Sequence, residues 1–416
     1  MRQKTKPAPA ARKSSASAAS PIGLIPFDYQ SRTRLVFGVN CVERAGELAR
    51  EIGSKKILLV TDPGLVAAGH AELVQKFLEA AKLKVTLFGK ARENPTTRDV
   101  DECLAVAKSA RVDTILGLGG GSSMDTAKGC NFLLTNGGRM QDYWGVGKAA
   151  KPMLPLIAIP TTAGTGSECQ SFALIADEST HQKMACGDPK AAARIAILDP
   201  ALTVSQPRRV AACTGIDALT HTVETAVTRK RNAQSLMYSH EAFKLVVNSF
   251  PTVLREPANL EARGRMLLGA ALAGTAIENS MLGAVHAAAN PLTARYGIVH
   301  GQAVGLLLPA VVRFNAHDPA TRQAYAELAS APEIACASDG HEVAVRALVA
   351  RLESLLNIAE MPRSLADCGV KKSDIKSLAA EAARQWTANF NPRPVTESDF
   401  VSLYESAFEK RGPGDE

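Results

Sequence analysis

The sequence predicts an α/β N-terminal domain built on a largely parallel sheet, followed by an all-α C-terminal domain. Three observations carry this. A chain of 416 residues exceeds the usual size of a single hydrophobic core. Between residues 34 and 200, short β-branched runs at 56–61, 84–88, 114–118, 156–159 and 195–198 alternate with helical stretches. Beyond Pro200 strand signals fade, and long Ala- and Leu-containing stretches such as 211–228, 235–250 and 260–279 take over. Pro200, Pro207, Pro251 and Pro257 punctuate this half as helix starts or stops. The domains are therefore expected at 27–200, an α/β unit, and at 201–416, a helical unit, after a disordered basic tail at 1–26.

The strands place the first site. Open α/β sheets bind ligands beyond the carboxyl ends of their strands, and the turns after these runs hold most of the Gly, Thr, Asp and Asn. Run 114–118 leads straight into Gly119, Gly120, Gly121 and Ser122 and then a helical stretch at 124–134. Glycines without Cβ atoms let backbone N–H groups approach a pyrophosphate, and the positive end of the following helix attracts it. The pattern departs from the usual dinucleotide fingerprint. Gly117-x-Gly119-x-x-Ser122 lacks the last glycine, and the acid at a strand end, Asp62, precedes the turn instead of following it. A second loop, Thr161-Thr-Ala-Gly-Thr-Gly-Ser-Glu168, follows run 156–159 with hydroxyls and adaptable backbone. Two such loops at strand ends suit one dinucleotide.

The helical half carries the second site. Asp217 and His221 stand four residues apart on a predicted helix, so both leave the same face. His286 and His300 follow, and three of the chain's eight histidines thus accompany one carboxylate. One anionic and three neutral ligands leave a divalent ion positively charged, with room for an exogenous oxygen, so that it acts as a Lewis acid. Imidazole with carboxylate suits Fe²⁺ and Zn²⁺ alike.

Composition excludes other classes. The formal charge is +7, but five bases, Arg2, Lys4, Lys6, Arg12 and Lys13, lie in the first 26 residues, which hold no acid. The rest is nearly balanced and offers no basic surface for nucleic acid. No uninterrupted apolar stretch of about eighteen residues suggests a membrane span. Eight cysteines, at 41, 103, 130, 169, 186, 213, 336 and 368, stand singly with no C-x-x-C pair, which implies a reducing, cytoplasmic setting. The tail has no signal-peptide core; its basic, Ser-rich character is also that of an organelle transit peptide, which Pro7 and Pro9 oppose.

Together these segments resemble the iron-containing (group III) alcohol dehydrogenases over roughly residues 29–408. The motifs are Val36-Phe-Gly38, Val60-Thr-Asp-Pro-Gly-Leu65, Asn94-Pro-Thr96, Gly119-Gly-Gly-Ser-Ser-Met-Asp-Thr-Ala-Lys128, Ile159-Pro-Thr-Thr-Ala-Gly-Thr-Gly-Ser-Glu168, Ile197-Leu-Asp-Pro200, Gly215-Ile-Asp-Ala-Leu-Thr-His221 and Asn391-Pro-Arg-Pro394. The resemblance implies the dehydroquinate synthase-like architecture and a homo-oligomer. It implies Asp217, His221, His286 and His300 as ligands of one metal, with Fe²⁺ favoured and Zn²⁺ the alternative. It also implies contact of Asp62, Asn94, Gly120, Gly121, Ser122, Asp125, Thr161, Thr162 and Lys183 with NAD. The implied reaction passes a hydride between a small alcohol and NAD, or back to an aldehyde or ketone. A hydroxyacid–oxoacid transhydrogenase, a maleylacetate reductase, a glycerol dehydrogenase and a non-catalytic relative that keeps metal and NAD are the alternatives.

Two positions depart from the family pattern. His286-Ala-Ala-Ala-Asn290-Pro-Leu-Thr293 has Asn290 where the family often has a histidine assigned to proton transfer or substrate contact, and asparagine does not titrate near neutrality. Ser123 stands where proline is common, a tolerated change. Asp62, facing the adenosine ribose by the resemblance, accepts from a 2′-hydroxyl and repels a 2′-phosphate, which favours NAD over NADP. Asp62→Gly is therefore expected to raise the NADP/NAD ratio of kcat/KM; an unchanged ratio rejects this role.

Overall fold

A computed structural model describes residues 25–408 with the exception of His181, so the tail expected at 1–26 lies, but for its last two residues, outside the described part. The first half contains strands β1 (Arg34–Phe37), β2 (Lys56–Val60), β3 (Lys84–Phe88), β4 (Thr114–Gly119), β5 (Gly145–Val146), β6 (Leu156–Pro160), β7 (Phe172–Ala176), β8 (Lys183–Gly187) and β9 (Ile195–Leu198). Six of them form one sheet in the order β1-β9-β6-β4-β2-β3, every neighbouring pair parallel. Strands β4, β6 and β9 are buried along their whole length. Their near-continuous apolar sequences follow from being covered on both faces.

Helices α1 (Ala45–Glu51), α2 (Pro63–Ala67), α3 (His70–Ala80), α4 (Thr97–Ala110) and α5 (Gly121–Asn136) cross between the strands. The chain runs from β2 outward to β3, then returns past β2 to β4 and on to β6 and β9. The direction reverses between β2 and β4, and the crevice at a reversal is where such sheets take ligands. Helix α5 starts directly at Gly121, earlier than the expected 124, because the glycine turn itself forms its first turn.

A second sheet, β5-β8-β7, with β7 and β8 antiparallel, was not legible as strands. Phe172-Ala-Leu-Ile-Ala176 and Lys183-Met-Ala-Cys-Gly187 carry little β-branching, and tertiary packing rather than local propensity makes them extended.

The second half is helical: α6 (Arg208–Val227), α7 (Ala233–Arg255), α8 (Leu260–Glu278), α9 (Ala284–Tyr296), α10 (His300–Asn315), α11 (Pro319–Ser330), α12 (His341–Ile358), α13 (Ile375–Ala383) and α14 (Glu397–Phe408). Residues of α6 from 215 to 227 are all buried, so this helix is the centre of the bundle. Pro207 begins it as expected, but Pro251 does not stop a helix. It lies inside α7, where the ring removes the bond to the carbonyl of Val247, and Arg351 Nη2 donates to that oxygen at 3.1 Å instead. No described helix is long and apolar enough to cross a membrane.

The two halves are tied by backbone contacts, and Asp199 fixes the end of the first half. This fully buried carboxylate follows β9 and accepts from the N–H groups of Asn40, Val42 and Ala201 at 3.0, 3.1 and 3.0 Å, which explains the Ile197-Leu-Asp-Pro200 motif. Gly274 of α8 lies against the loop after β6; a Cβ there would sit 2.3 Å from the carbonyl oxygen of Gly166. Gly301 in the first turn of α10 lies against α6, where a Cβ would come within 2.1 Å of the oxygen of Cys213. Backbone cannot yield as a side chain does, so Gly301→Ala must push α10 from α6. The expected cost is about 1–3 kcal/mol, read as a lowered Tm; an unchanged Tm would show that the helices separate freely.

Candidate active site

Helix α6 contributes most of one side of the site. Its 3.6-residue period puts Asp217, His221 and Glu224 on one face at i, i+4 and i+7, all buried. His286 projects from the first turn of α9, and His300 opens α10 beside the Gly301 contact. The Nε2 atoms of His221, His286 and His300 lie 3.4, 3.5 and 3.6 Å from one oxygen, Asp217 Oδ1. The rings of His221 and His286 stack with centroids 4.9 Å apart, and His300 completes the cluster at 5.3 Å from His286. His300 is the most open of the four, its side chain 28% exposed.

Hydrogen bonding shows what this cluster suits. Asp217 Oδ1 and His286 Nε2 are buried without any hydrogen-bond partner. Orphaned buried groups of this kind cost about 1–3 kcal/mol each and call for a partner. Donor atoms of Asp217, His221 and His286 all lie within 4.8 Å of one another, close enough for one cation. A carboxylate with imidazole nitrogens is the donor set of a Fe²⁺ or Zn²⁺ site, so the residues fit the metal expected from the sequence.

Electrostatics follow from burial and crowding. Burial opposes the Asp217 carboxylate, but the three imidazoles outweigh it and hold its pKa well below the usual range. Burial lowers His221, and it pushes His300 down to about 3 with neighbouring positive charge adding to the effect. His286 is raised to about 9 because Glu224 and Asp217 together overcome the same burial.

The other side is the crevice at the ends of β2, β4 and β6. Asp62 caps α2, its Oδ1 accepting from Leu65 N at 3.1 Å. Asn94, with a left-handed φ of 53°, donates its N–H to Ser122 Oγ at 3.3 Å, and Lys183 Nζ approaches Asn94 Oδ1 at 3.5 Å. Gly120 caps α5 and leaves no room toward Thr162, whose Oγ1 would lie 3.3 Å from a Cβ. At Gly121 the corresponding distance to Thr165 is 2.9 Å. Thr161 donates its N–H to the carbonyl of Gly119 at 3.1 Å, which locks the two loops side by side. Hydrogen bonds thus join Asn94 to Ser122 and Lys183, close packing joins Gly120 to Thr162, and Asp62 stands at the end of the neighbouring strand β2; Lys183 also feels the charges of Asp125 and of Asp217 in the cluster. Asn290 is one turn beyond His286 on α9, half-buried, with its Nδ2 donating to Gln385 Oε1 at 3.1 Å.

Three residues escaped the sequence reading. Glu224 accepts from His286 Nδ1 at 2.5 Å and from Val285 N at 2.7 Å; its signal was the i+7 position on the Asp217 face. Lys128, inside a quoted motif but without a role, is fully buried and donates to Ser167 O, Ser167 Oγ and Phe172 O at 2.6, 2.8 and 3.0 Å. Ser167 Oγ in turn donates to Asp125 Oδ1 at 3.1 Å, so a buried charge network fixes the second loop. Gln385 gave no signal, since it meets Asn290 only through the fold.

A parallel sheet with a small-residue band at its switch point, facing a carboxylate and three imidazoles, defines an oxidoreductase class that pairs a dinucleotide with a metal. Residues 32–200 match the iron-containing alcohol dehydrogenases, and residues 211–408 match the C-terminal region of the Fe-containing alcohol dehydrogenase family. The chain belongs to the iron-containing alcohol dehydrogenase family. It is 35% identical to alcohol dehydrogenase 4 of Schizosaccharomyces pombe over 89% of this chain and 87% of that one. It is 36% identical to the NAD-dependent methanol dehydrogenase of Bacillus methanolicus, over 89% and 97% of the two chains. Among solved structures, a 1,3-propanediol oxidoreductase superposes with a TM-score of 0.89 at 32% identity, covering 92% of this chain and all of the other.

Glu168 supplies a pH test. It is 2% exposed, its Oε1 has no partner, and burial pushes its pKa from 4.5 up to about 7. Between those values the folded chain holds a proton the unfolded chain has released, so this stability is complete below pH 4.5 and lost as pH rises through 7. Glu168→Gln removes the loss: the Tm of the variant should gain on the parent from pH 5 to pH 8, by up to about 3 kcal/mol in stability. Parallel Tm curves would exclude the raised pKa.

Proposed function

We propose that this chain is a metal-dependent alcohol dehydrogenase that exchanges a hydride between a small alcohol and NAD, with Asp217, His221, His286 and His300 as the ligands of one divalent ion. The observation that supports it most is the convergence of three imidazole nitrogens on one unpartnered carboxylate oxygen. Fe²⁺ is favoured by the family, while the donors suit Zn²⁺ equally. Asp62, Asn94, Gly120, Gly121, Ser122, Asp125, Thr161, Thr162 and Lys183 are assigned to NAD, and the NAD dependence of the methanol dehydrogenase relative supports that cofactor.

When bound, the ion supplies Lewis acidity and the dinucleotide supplies the hydride acceptor. The chain supplies position. Gly120 and Gly121 let the threonines of the second loop pack close against the start of α5, whose N–H groups would face the dinucleotide's phosphates. Asn290 gives its N–H to Gln385, which leaves Oδ1 as the group turned to accept from a substrate hydroxyl. Neither amide moves a proton near neutrality, so the proton leaves through solvent or a ribose hydroxyl.

The division between the units is proposed near residue 200. A homo-oligomer is also proposed: β1 is an edge strand with Leu35 36% and Phe37 48% exposed, a row open to a second copy. A cytoplasmic setting is supported by the cysteines, all free among the described residues.

A panel of short alcohols and aldehydes with NAD and NADP, on protein loaded separately with Fe²⁺ or Zn²⁺, tests the function. NADH formation that depends on the metal is expected; no turnover with any alcohol or aldehyde rejects it. For Asn290 the test is Asn290→His, which should introduce an ionisation between about pH 6 and 8 in the rate profile. A profile identical to the parent's would count against a proton relay that runs past position 290.

A further inference from the structure

The contacts of Glu224 go beyond those of a structural acid. It is 5% exposed, and each carboxylate oxygen has its own donor: Oε1 takes the backbone N–H of Val285 at 2.7 Å, Oε2 takes His286 Nδ1 at 2.5 Å. Gly283, which precedes α9, has no side chain to cap the helix, and Asn391 Oδ1 takes the next free N–H, that of Ala284, at 3.2 Å. The start of α9 is therefore capped from outside, by α6 and by the Asn391-Pro-Arg-Pro394 segment. Asn391 is itself held by a reciprocal pair of amide bonds with Asn315 at 3.1 and 2.7 Å, at the far end of the helix that His300 opens.

We infer that Glu224 is the positioning residue that selects the ring tautomer of His286 and aims its Nε2 lone pair at the ion. The inference rests on the metal reading of the Asp217 cluster. A carboxylate only accepts, so in the neutral ring that would ligate an ion the proton of His286 must sit on Nδ1, and Nε2 is left as the acceptor. That Nε2 is the buried atom without a partner, 3.5 Å from Asp217 Oδ1. A single helix, α6, thus supplies two ligands at Asp217 and His221 and orients a third from the next turn. An orienting carboxylate of this kind commonly changes metal affinity 10- to 100-fold.

Substituting the carboxamide separates this role from simple helix capping, because Gln has the same shape but one acceptor and one donor end. If its oxygen keeps the Val285 N–H, its NH₂ faces Nδ1 and demands an acceptor there, which moves the ring proton to Nε2 and against the ion. If it turns over, the NH₂ meets the Val285 N–H and the helix start loses its bond. The first arrangement costs the ligand its tautomer, whereas the second keeps the tautomer and costs only the cap.

The test uses Zn²⁺ on the full chain, with dissociation constants from competition against a chelator and Tm of the metal-free protein measured alongside. Glu224→Gln should weaken Zn²⁺ binding about 10- to 100-fold while Glu224→Asp, which keeps two acceptors, recovers part of it. Binding of Zn²⁺ by the variant within twofold of the parent overturns the inference, as does a fall in Tm with unchanged affinity, the mark of a helix cap alone. Failure of the parent to bind Zn²⁺ or Fe²⁺ would instead overturn the metal reading. A measurement on the unsubstituted protein holds even if the variants do not fold. In Zn²⁺-loaded protein labelled with ¹⁵N-histidine, His286 should show a slowly exchanging Nδ1–H and a metal-shifted Nε2; ligation through Nδ1 rejects the assignment.

Discussion

The structure depends on keeping one carboxylate ionised inside a helical bundle. Asp217 is 5% exposed on the most enclosed helix of the chain, where desolvation alone would force it to take a proton. Three imidazoles within 3.6 Å prevent that, and each reaches Asp217 only because a different constraint holds its helix. His221 shares the helix; His286 is fixed through the Glu224 and Asn391 caps; His300 is set by the approach of Gly301 to the α6 backbone. The core of the second half is thereby organised around a polar point, and its apolar packing serves to hold three helix starts in register.

The same logic runs through the sheet side, with backbone in place of side chains. The loops after β4 and β6 are locked by the Thr161–Gly119 bond and by contacts that tolerate no Cβ at Gly121 or Gly274. Lys128 secures the second loop from below, where full burial of an ammonium is offset by two carbonyls, a hydroxyl and the Asp125 charge. Gly166 rests on α8 by backbone contact with Gly274, so the second loop is held by both halves of the chain.

What was legible in the sequence follows from the range of the interactions involved. The parallel strands could be seen because burial on both faces demands uninterrupted apolar runs; the Asp217–His221 pair could be seen because it obeys a helix period, and the glycine loop because it is a turn, whereas the full ligand and dinucleotide sets came only through the family resemblance. The β7–β8 hairpin was not legible, since its extended shape comes from packing against α5 rather than from its own residues. Pro251 misled for a related reason. Locally it is a helix breaker, and only Arg351, a hundred residues away, supplies the donor that satisfies the carbonyl it strands. Glu224 lay between these cases: its helix face was predictable, but its partner on α9 was not.

Charge placement also separates two tasks that one histidine at position 290 would combine. An imidazole there, one turn from His286, would add a fourth titrating ring to a neighbourhood where His221 and His300 are already driven toward neutrality by burial. Asn290 and Gln385 instead form a neutral pair whose geometry is set by one amide bond and does not vary with pH. The unpaired oxygen and nitrogen at Asp217 and His286 concentrate the cost of the site in atoms that a cation would satisfy. Binding energy recovered there stabilises the fold directly, because only the folded chain brings the four residues together. Metal content and stability would therefore be coupled through the same atoms, while the Asn290–Gln385 amide pair stays neutral.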